Sequence, residues 1–242
     1  MRSAASCQPL RDLIHKAEIP ATYTLMAAGV VPYGDPMNIG MVGMHGCYTS
    51  NRAVAECDVL IAVGTRFSDR VALNPKTFAK NATIIQIDID PNEIENARSI
   101  ACPVVGDIKS AMQMINAGLE KTPVKASAQW LDMLKADAEK NDAKFAARVN
   151  SNTVPMGHYD ALGAIKKVYD QHKDMILTNE GANTLDDCRN IIDIYQRGGY
   201  SIMPYRLAFT ETEETDLLDD IDGSYHHILV AGGDGTVNYV VN

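Results

Sequence analysis

The stretch Thr83-Ile-Ile-Gln-Ile-Asp-Ile-Asp90 decides the fold. It is an apolar run, rich in isoleucine, that ends in two aspartates, and Pro91 follows it directly. A run of this kind is typical of a buried strand, and Pro at the first helical position with acids in the first turn is typical of a helix start. We therefore predict a strand over 83–90 and a helix that begins at Pro91.

Strands and helices alternate on both sides of this stretch. The continuous apolar run Val59-Leu-Ile-Ala-Val-Gly64 predicts another buried strand, and Val104-Val105 predicts a short one. Asp107 is placed to cap a helix over 108–119. We also predict helices over 10–17, 51–56, 130–149, 156–170, 184–195 and 212–221, strands over 19–23, 175–179 and 228–231, and a loop over 29–46. This alternation predicts the α/β class, with a parallel sheet and right-handed crossovers.

The composition limits the classes of function. Of 242 residues, 46% are hydrophobic and 22% are charged, which is typical of a globular protein. The net charge of −9 argues against nucleic-acid and anionic-membrane partners. Without a bilayer-length apolar run or a recognisable signal peptide, we expect a cytoplasmic protein. The five cysteines are scattered and form no CxxC pair, so we expect reduced thiols and no metal site.

The segment Gly40-Met-Val-Gly-Met-His-Gly46 places three glycines around a histidine. One interpretation is a loop whose backbone approaches a cofactor closely. The other is an ordinary surface loop, which spacing alone favours. Both stay open at this point.

Charged residues follow the ends of three successive predicted strands. Arg66 and Arg70 follow the first strand, Asp88 lies near the end of the second, and Asp107 follows the third. Ligands of open parallel sheets bind beyond the carboxyl ends of the strands, where arginines can hold phosphates and a carboxylate can bind ribose hydroxyls. These residues favour a nucleotide-sized ligand, although capping and surface ion pairs would explain them equally well.

Three segments, 38–46, 58–70 and 85–91, strongly resemble the middle domain of acetolactate synthase, a thiamine-diphosphate enzyme. In that family this Rossmann-like domain binds FAD, with the first segment near the flavin and the other two near the ribose and diphosphate. The resemblance implies FAD contacts from ten residues: Met44, His45, Gly46, Gly64, Arg66, Asp69, Arg70, Asp88, Ile89 and Asp107.

From about 103 to 196 the chain looks like a related family, oxalyl-CoA decarboxylase. The resemblance is carried by 105–112 and above all by Asn179-Glu-Gly-Ala-Asn-Thr-Leu-Asp-Asp-Cys-Arg-Asn-Ile-Ile-Asp-Ile-Tyr195. The middle domain of that family binds ADP, which implies Asp88, Ile89 and Ile108 as its contacts. The same resemblance implies that Asn183 approaches the acyl-CoA substrate.

The C-terminal segment 209–242 looks like the diacylglycerol-kinase-type lipid kinases, whose GGDGT loop binds ATP. The matching residues are Gly232, Gly233, Asp234, Gly235 and Thr236. Backbone N–H groups of such a loop can face a phosphate. The GDG of a thiamine-enzyme site for Mg²⁺ and diphosphate is the competing interpretation, but the context of 237–242 favours the kinase.

These resemblances predict four segments. Residues 1–120 would be the middle domain without its first strand, 121–152 a linker and helix, 153–196 the start of the diphosphate-binding domain, and 197–242 a lipid-kinase-like fragment. We expect the segment beyond 209 to dock weakly, because it has too little apolar sequence for a core of its own.

The function implied is a fragment of a thiamine-diphosphate-dependent decarboxylase or carboligase, a lyase or transferase. FAD or ADP would bind the middle domain, while thiamine diphosphate and Mg²⁺ serve the parent family. That family acts on small molecules and is homo-oligomeric. We expect no catalytic residue here and no turnover by the isolated chain. The alternatives are a non-catalytic nucleotide-binding module and an ATP-dependent lipid kinase fragment.

Overall fold

The structure is a computed structural model that describes residues 4–32, 34–72, 74–95, 99–149, 151 and 153–172, and the backbone of 175–179 and 227–231. The chain divides into two compact units, 1–141 and 142–242. The helices predicted over 184–195 and 212–221, Asn183 and the loop 232–236 lie outside the described residues.

The first unit is an α/β domain, which confirms the predicted class. Its elements are α1 (Ala4–Ala17), β1 (Ala21–Tyr23), β2 (Asn38–Met41), α2 (Tyr48–Glu56), β3 (Val59–Val63), β4 (Thr83–Asp88), β5 (Cys102–Val105), α3 (Ile108–Lys121) and α4 (Ala128–Val149), which continues into the second unit. Single 3-10 turns lie at Leu25–Ala27 and Pro91–Glu93. Each described strand pair is parallel: β1 lies beside β2, and β4 lies between β3 and β5.

The predicted loop over 29–46 is wrong in part, because it contains β2. Asn38 lies opposite Ala21 and Met41 lies opposite Tyr23 in the ladder with β1. Glycines and prolines around this segment are typical of a loop, so its local sequence does not indicate a strand. The strand forms because its backbone pairs with β1, which lies earlier in the sequence.

The predicted helix at Pro91 is also wrong, because the chain makes only one 3-10 turn there. Ile94 returns to extended backbone, and Glu95 has a positive φ of 59°. The Glu95 N–H donates to Gln86 Oε1 at 3.2 Å, so it is bonded to β4 instead of continuing a helix. β4 itself ends at Asp88, and Asp90 accepts the Asn92 N–H as the cap of the turn.

The core of the first unit lies on both faces of β4. Ile84 packs in a cluster that includes Val42 and Val54, while Ile87 packs with Leu13 and Met112. Burial on both faces is typical of parallel sheets, in which helices cover the strands. The buried central strand therefore gives the loops at its carboxyl end a rigid base.

An ion pair fixes the first part of α4 within the first unit. Arg52 of α2 contacts Asp137 of α4 at 2.6 Å and Glu56 of its own helix at 2.9 Å. The hydrogen bonds that Arg52 donates to the carboxylates of Glu56 and then Asp137 raise its pKa above the ordinary value.

The second unit contains the end of α4, α5 (His158–Gln171), β6 (Met175–Asn179) and β7 (His227–Ala231). β6 and β7 form a parallel ladder in which Met175 lies opposite His227 and Asn179 opposite Ala231. Both strands match the sequence prediction closely, but their pairing was not foreseen. None of the helices in the described part of the chain is long and apolar enough to cross a membrane.

Candidate functional site

The carboxyl ends of β3, β4 and β5 meet at one edge of the sheet. The Gly64 N–H, just after β3, donates to Ile87 O at 2.8 Å, and the Gly106 N–H, just after β5, donates to Asp88 O at 2.9 Å. The structure thus brings Gly64, Asp88 and Asp107 to one edge, where ligands of parallel sheets bind. Their role as ligand contacts stays a prediction.

Asp88 offers a carboxylate at the middle of this edge. Its Oδ1 accepts the Asp90 N–H at 3.0 Å, and no other side-chain bond of Asp88 is formed within the described residues. Oδ2 is therefore available to a hydroxyl donor. Ile89 follows directly, and 67% of its surface is exposed.

Asp107 caps α3, as the sequence predicts. Its Oδ1 accepts the Ser110 N–H and the Ser110 hydroxyl, each at 2.9 Å. The Ser110 N–H, followed by the hydroxyl, lowers the pKa of Asp107, so the carboxylate is charged at neutral pH. Ile108 is 8% exposed and packs with Leu13 and Ile87, so its backbone, and not its side chain, faces the edge at the start of α3.

The glycine-rich loop between β2 and α2 is held against the loop after β3. The Met44 N–H donates to Arg70 O at 2.9 Å. Gly43 has a φ of +109°, and a Cβ there would lie 2.5 Å from Arg70 O. A Cβ at Gly46 would lie 2.4 Å from Met41 O. These contacts require glycine at both positions, because the backbones approach too closely for a side chain.

The side chains at the junction of these two loops face outward. Met44 is 46% exposed, and Arg70 Nη1 lies 3.8 Å from its sulfur. Arg66 is exposed, and its side chain has no partner among the described residues. Asp69 accepts the Arg70 N–H, while His45 is half-buried in the glycine-rich loop. The junction therefore offers the Arg70 guanidinium to an anion, and the exposed Arg66 lies four residues earlier in the same loop.

Sequence analysis missed Gln86, which joins two segments of the site. It lies in the middle of β4 with 0% of its surface exposed. Its Nε2 donates to Thr65 O at 3.1 Å and to Glu93 O at 2.8 Å, in addition to the bond that Oε1 accepts from Glu95. The available signal was a single amide inside an apolar run, since a buried polar group requires partners.

The parallel sheet and the loops at its carboxyl edge define a Rossmann-like α/β domain. Residues 1–115 match the family described as "Thiamine pyrophosphate enzyme, central domain". The resemblance of the segments 38–46, 58–70 and 85–91 to thiamine-diphosphate enzymes is thereby confirmed. The likeness of 209–242 to lipid kinases stays a prediction.

Similar proteins come from the two families that the sequence indicates. Oxalyl-CoA decarboxylase of Escherichia coli is 36% identical over 189 residues, which cover 78% of this chain and 32% of that protein. A probable acetolactate synthase large subunit of Methanocaldococcus jannaschii is 46% identical over 132 residues, covering 54% of this chain and 22% of that protein. The acetolactate synthase large subunit of Buchnera aphidicola is 37% identical over 147 residues, covering 59% and 26%. The chain thus spans less than a third of the length of these relatives.

Proposed function

We propose that the first unit is the nucleotide-binding central domain of a thiamine-diphosphate-dependent decarboxylase or carboligase. FAD or ADP binds at the carboxyl edge of β3, β4 and β5. The observation that carries this proposal is the pair of bonds that aligns the three strand ends, from Gly64 to Ile87 and from Gly106 to Asp88. They bring a carboxylate and two backbone turns together where a sheet of this type binds nucleotides.

The groups at this edge fit the parts of a nucleotide. Asp88 Oδ2 accepts from the ribose hydroxyls, because Oδ1 is already used by the Asp90 N–H. Ile89 provides an exposed apolar surface for a ring. Arg66 and Arg70 hold the diphosphate as charge-assisted donors.

The names of the relatives suggest the chemistry of the parent enzyme. Oxalyl-CoA or a small 2-keto acid is the substrate class, and the enzyme is a homo-oligomer. Thiamine diphosphate, when bound with Mg²⁺, supplies the electron sink for decarboxylation. The residues of the first unit bind and orient the nucleotide and do not touch the reacting carbon, while Asn183 approaches the substrate.

Isothermal titration of the full 242-residue chain with ADP and with FAD tests the proposal. We expect one of them to bind below millimolar concentration. Asp88→Ala should weaken binding by about 1.5–3 kcal/mol, the value of a charged hydrogen bond. The matched control is Asp58→Ala, which removes an exposed carboxylate just before β3, at the opposite edge of the same sheet.

Two outcomes contradict the proposal. One is the absence of binding by either nucleotide below millimolar concentration. The other is equal binding by the Asp88→Ala and Asp58→Ala variants. Binding of ATP that is insensitive to Asp88→Ala but lost in Asp234→Ala would favour the lipid-kinase alternative instead.

A further inference from the structure

Gln86 is a polar side chain in the middle of β4 with 0% of its surface exposed, the same value as for its apolar neighbour Ile87. Along β4, Ile85 and Ile87 face the cluster that contains Leu13, while Ile84 faces the opposite cluster. Because side chains alternate along a strand, Gln86 shares the face of Ile84. An amide with no exposed surface is costly there unless its hydrogen bonds are satisfied.

The three hydrogen bonds of Gln86 satisfy this requirement and connect two loops. Both Nε2 hydrogens are used, one by Thr65 O after β3 and one by Glu93 O after β4. Oε1 accepts the Glu95 N–H. Two carbonyl acceptors and one N–H donor also fix which end of the amide is nitrogen.

These loops carry the groups proposed to bind the nucleotide. Thr65 directly precedes Arg66, and the turn at Pro91–Glu93 follows Asp88 and Ile89. One side chain thus sets the distance between the arginine segment and the carboxylate segment.

Both loops contain backbone that needs such support. Phe67 has a φ of 51° and Glu95 a φ of 59°, a left-handed conformation that residues with a Cβ seldom adopt. Conformations of this kind persist only where surrounding contacts hold them. Phe67 is held by burial and by an edge contact with Phe78 at 5.7 Å. Glu95 is held by the bond from its N–H to Gln86 and by the Ile100 N–H, which donates to its Oε1 at 3.2 Å.

We propose that Gln86 is a positioning residue for the nucleotide, which sets the separation of the Arg66 and Asp88 segments without touching the ligand. This inference rests on the proposed function. Gln86 would then determine which ligands fit the site. A ligand that fits has its ribose at the Asp88 segment and its diphosphate at the Arg66 segment.

The test compares Gln86→Met with the matched control Ile84→Val in the full chain. Methionine has nearly the length of glutamine but cannot make these hydrogen bonds, and Ile84 is buried on the same face of the same strand. ADP and FAD affinities are measured by titration, together with amide exchange over 65–70 and 92–95. Gln86→Asn, which keeps the amide but is too short to reach both loops, provides a second variant.

We expect Gln86→Met and Gln86→Asn to weaken nucleotide binding at least about tenfold, and exchange to rise in both segments. Ile84→Val should keep the nucleotide affinity within about twofold of wild type, even if it lowers the melting temperature as much as the Gln86 variants do. Wild-type binding with unchanged affinity in both Gln86 variants would overturn this inference alone. Absence of wild-type binding would overturn the proposed function and this inference with it.

Discussion

Asn51 and Gly43 are joined by two reciprocal hydrogen bonds. Asn51 Nδ2 donates to Gly43 O at 3.0 Å, and the Gly43 N–H donates to Asn51 Oδ1 at 2.9 Å. The side-chain amide of Asn51 in α2 therefore makes the two hydrogen bonds with the Gly43 backbone that a neighbouring strand would otherwise make. This pair holds the glycine-rich loop in position to meet the backbone of Arg70.

Removing this amide should loosen the loop. We expect Asn51→Ala to lower the free energy of unfolding by about 1–2 kcal/mol, because two backbone groups lose their partners. Urea titration followed by circular dichroism measures the change. Asn81→Ala is the control, since Asn81 is exposed and forms no side-chain bond among the described residues, and it should stay within about 0.5 kcal/mol. Equal effects of the two variants would contradict the role of Asn51.

The close approach at Gly43 can be separated from its backbone strain. Gly29 also has a positive φ, +84°, but a Cβ there would meet nothing within 4 Å. Gly29→Ala should therefore cost about 1 kcal/mol, the strain of a positive φ for a residue with a Cβ. Gly43→Ala should cost clearly more, because it adds the contact with Arg70 O. Thermal melts of both variants measure the difference, and equal losses would show that the loops are not in contact.

The cap at Asp107 predicts a pH dependence of stability. Its folded-state pKa is lowered by Ser110, so its contribution is present above the unfolded value of about 3.9 and is lost as the pH falls through the folded value. The difference in melting temperature between wild type and Asp107→Ala should be larger at neutral pH than in strong acid. Asp107→Asn keeps an uncharged cap and should differ less from wild type. A difference independent of pH would contradict the cap.

Amide exchange tests how firmly β7 is held. β6 and β7 pair only with each other among the described strands, whereas β4 has a neighbour on both sides. Two-stranded sheets are marginally stable, so we expect the amides of 228–231 to exchange faster than those of 84–87. Protection of β7 as strong as that of β4 would mean that the C-terminal segment folds cooperatively with its unit.

Local signals allowed much of the fold to be predicted. Each of these signals depends only on a few neighbouring residues. Examples are the apolar runs of β3 and β4 and the Asp107 cap. β2 was missed because its evidence is the ladder with β1, many residues away.

The candidate site was predicted only in outline, for a related reason. The sequence places Asp88 near the end of one strand and Asp107 just after the next, and the register brings those strand ends together. It does not show that Ile108 directs its side chain into the core, or that Gln86 bonds to loops on either side of Asp88. Both features depend on which face of the helix or strand packs against the core. The identity of a single residue in the sequence does not show this.

The most direct test is a map of amide chemical shifts in the full chain as ADP or FAD is added. We expect the largest changes at Gly64, Asp88 and Gly106, the three positions that meet at the carboxyl edge of the sheet. Changes confined to 232–236, or no change at the three edge positions at saturating nucleotide, would contradict a nucleotide site at this edge.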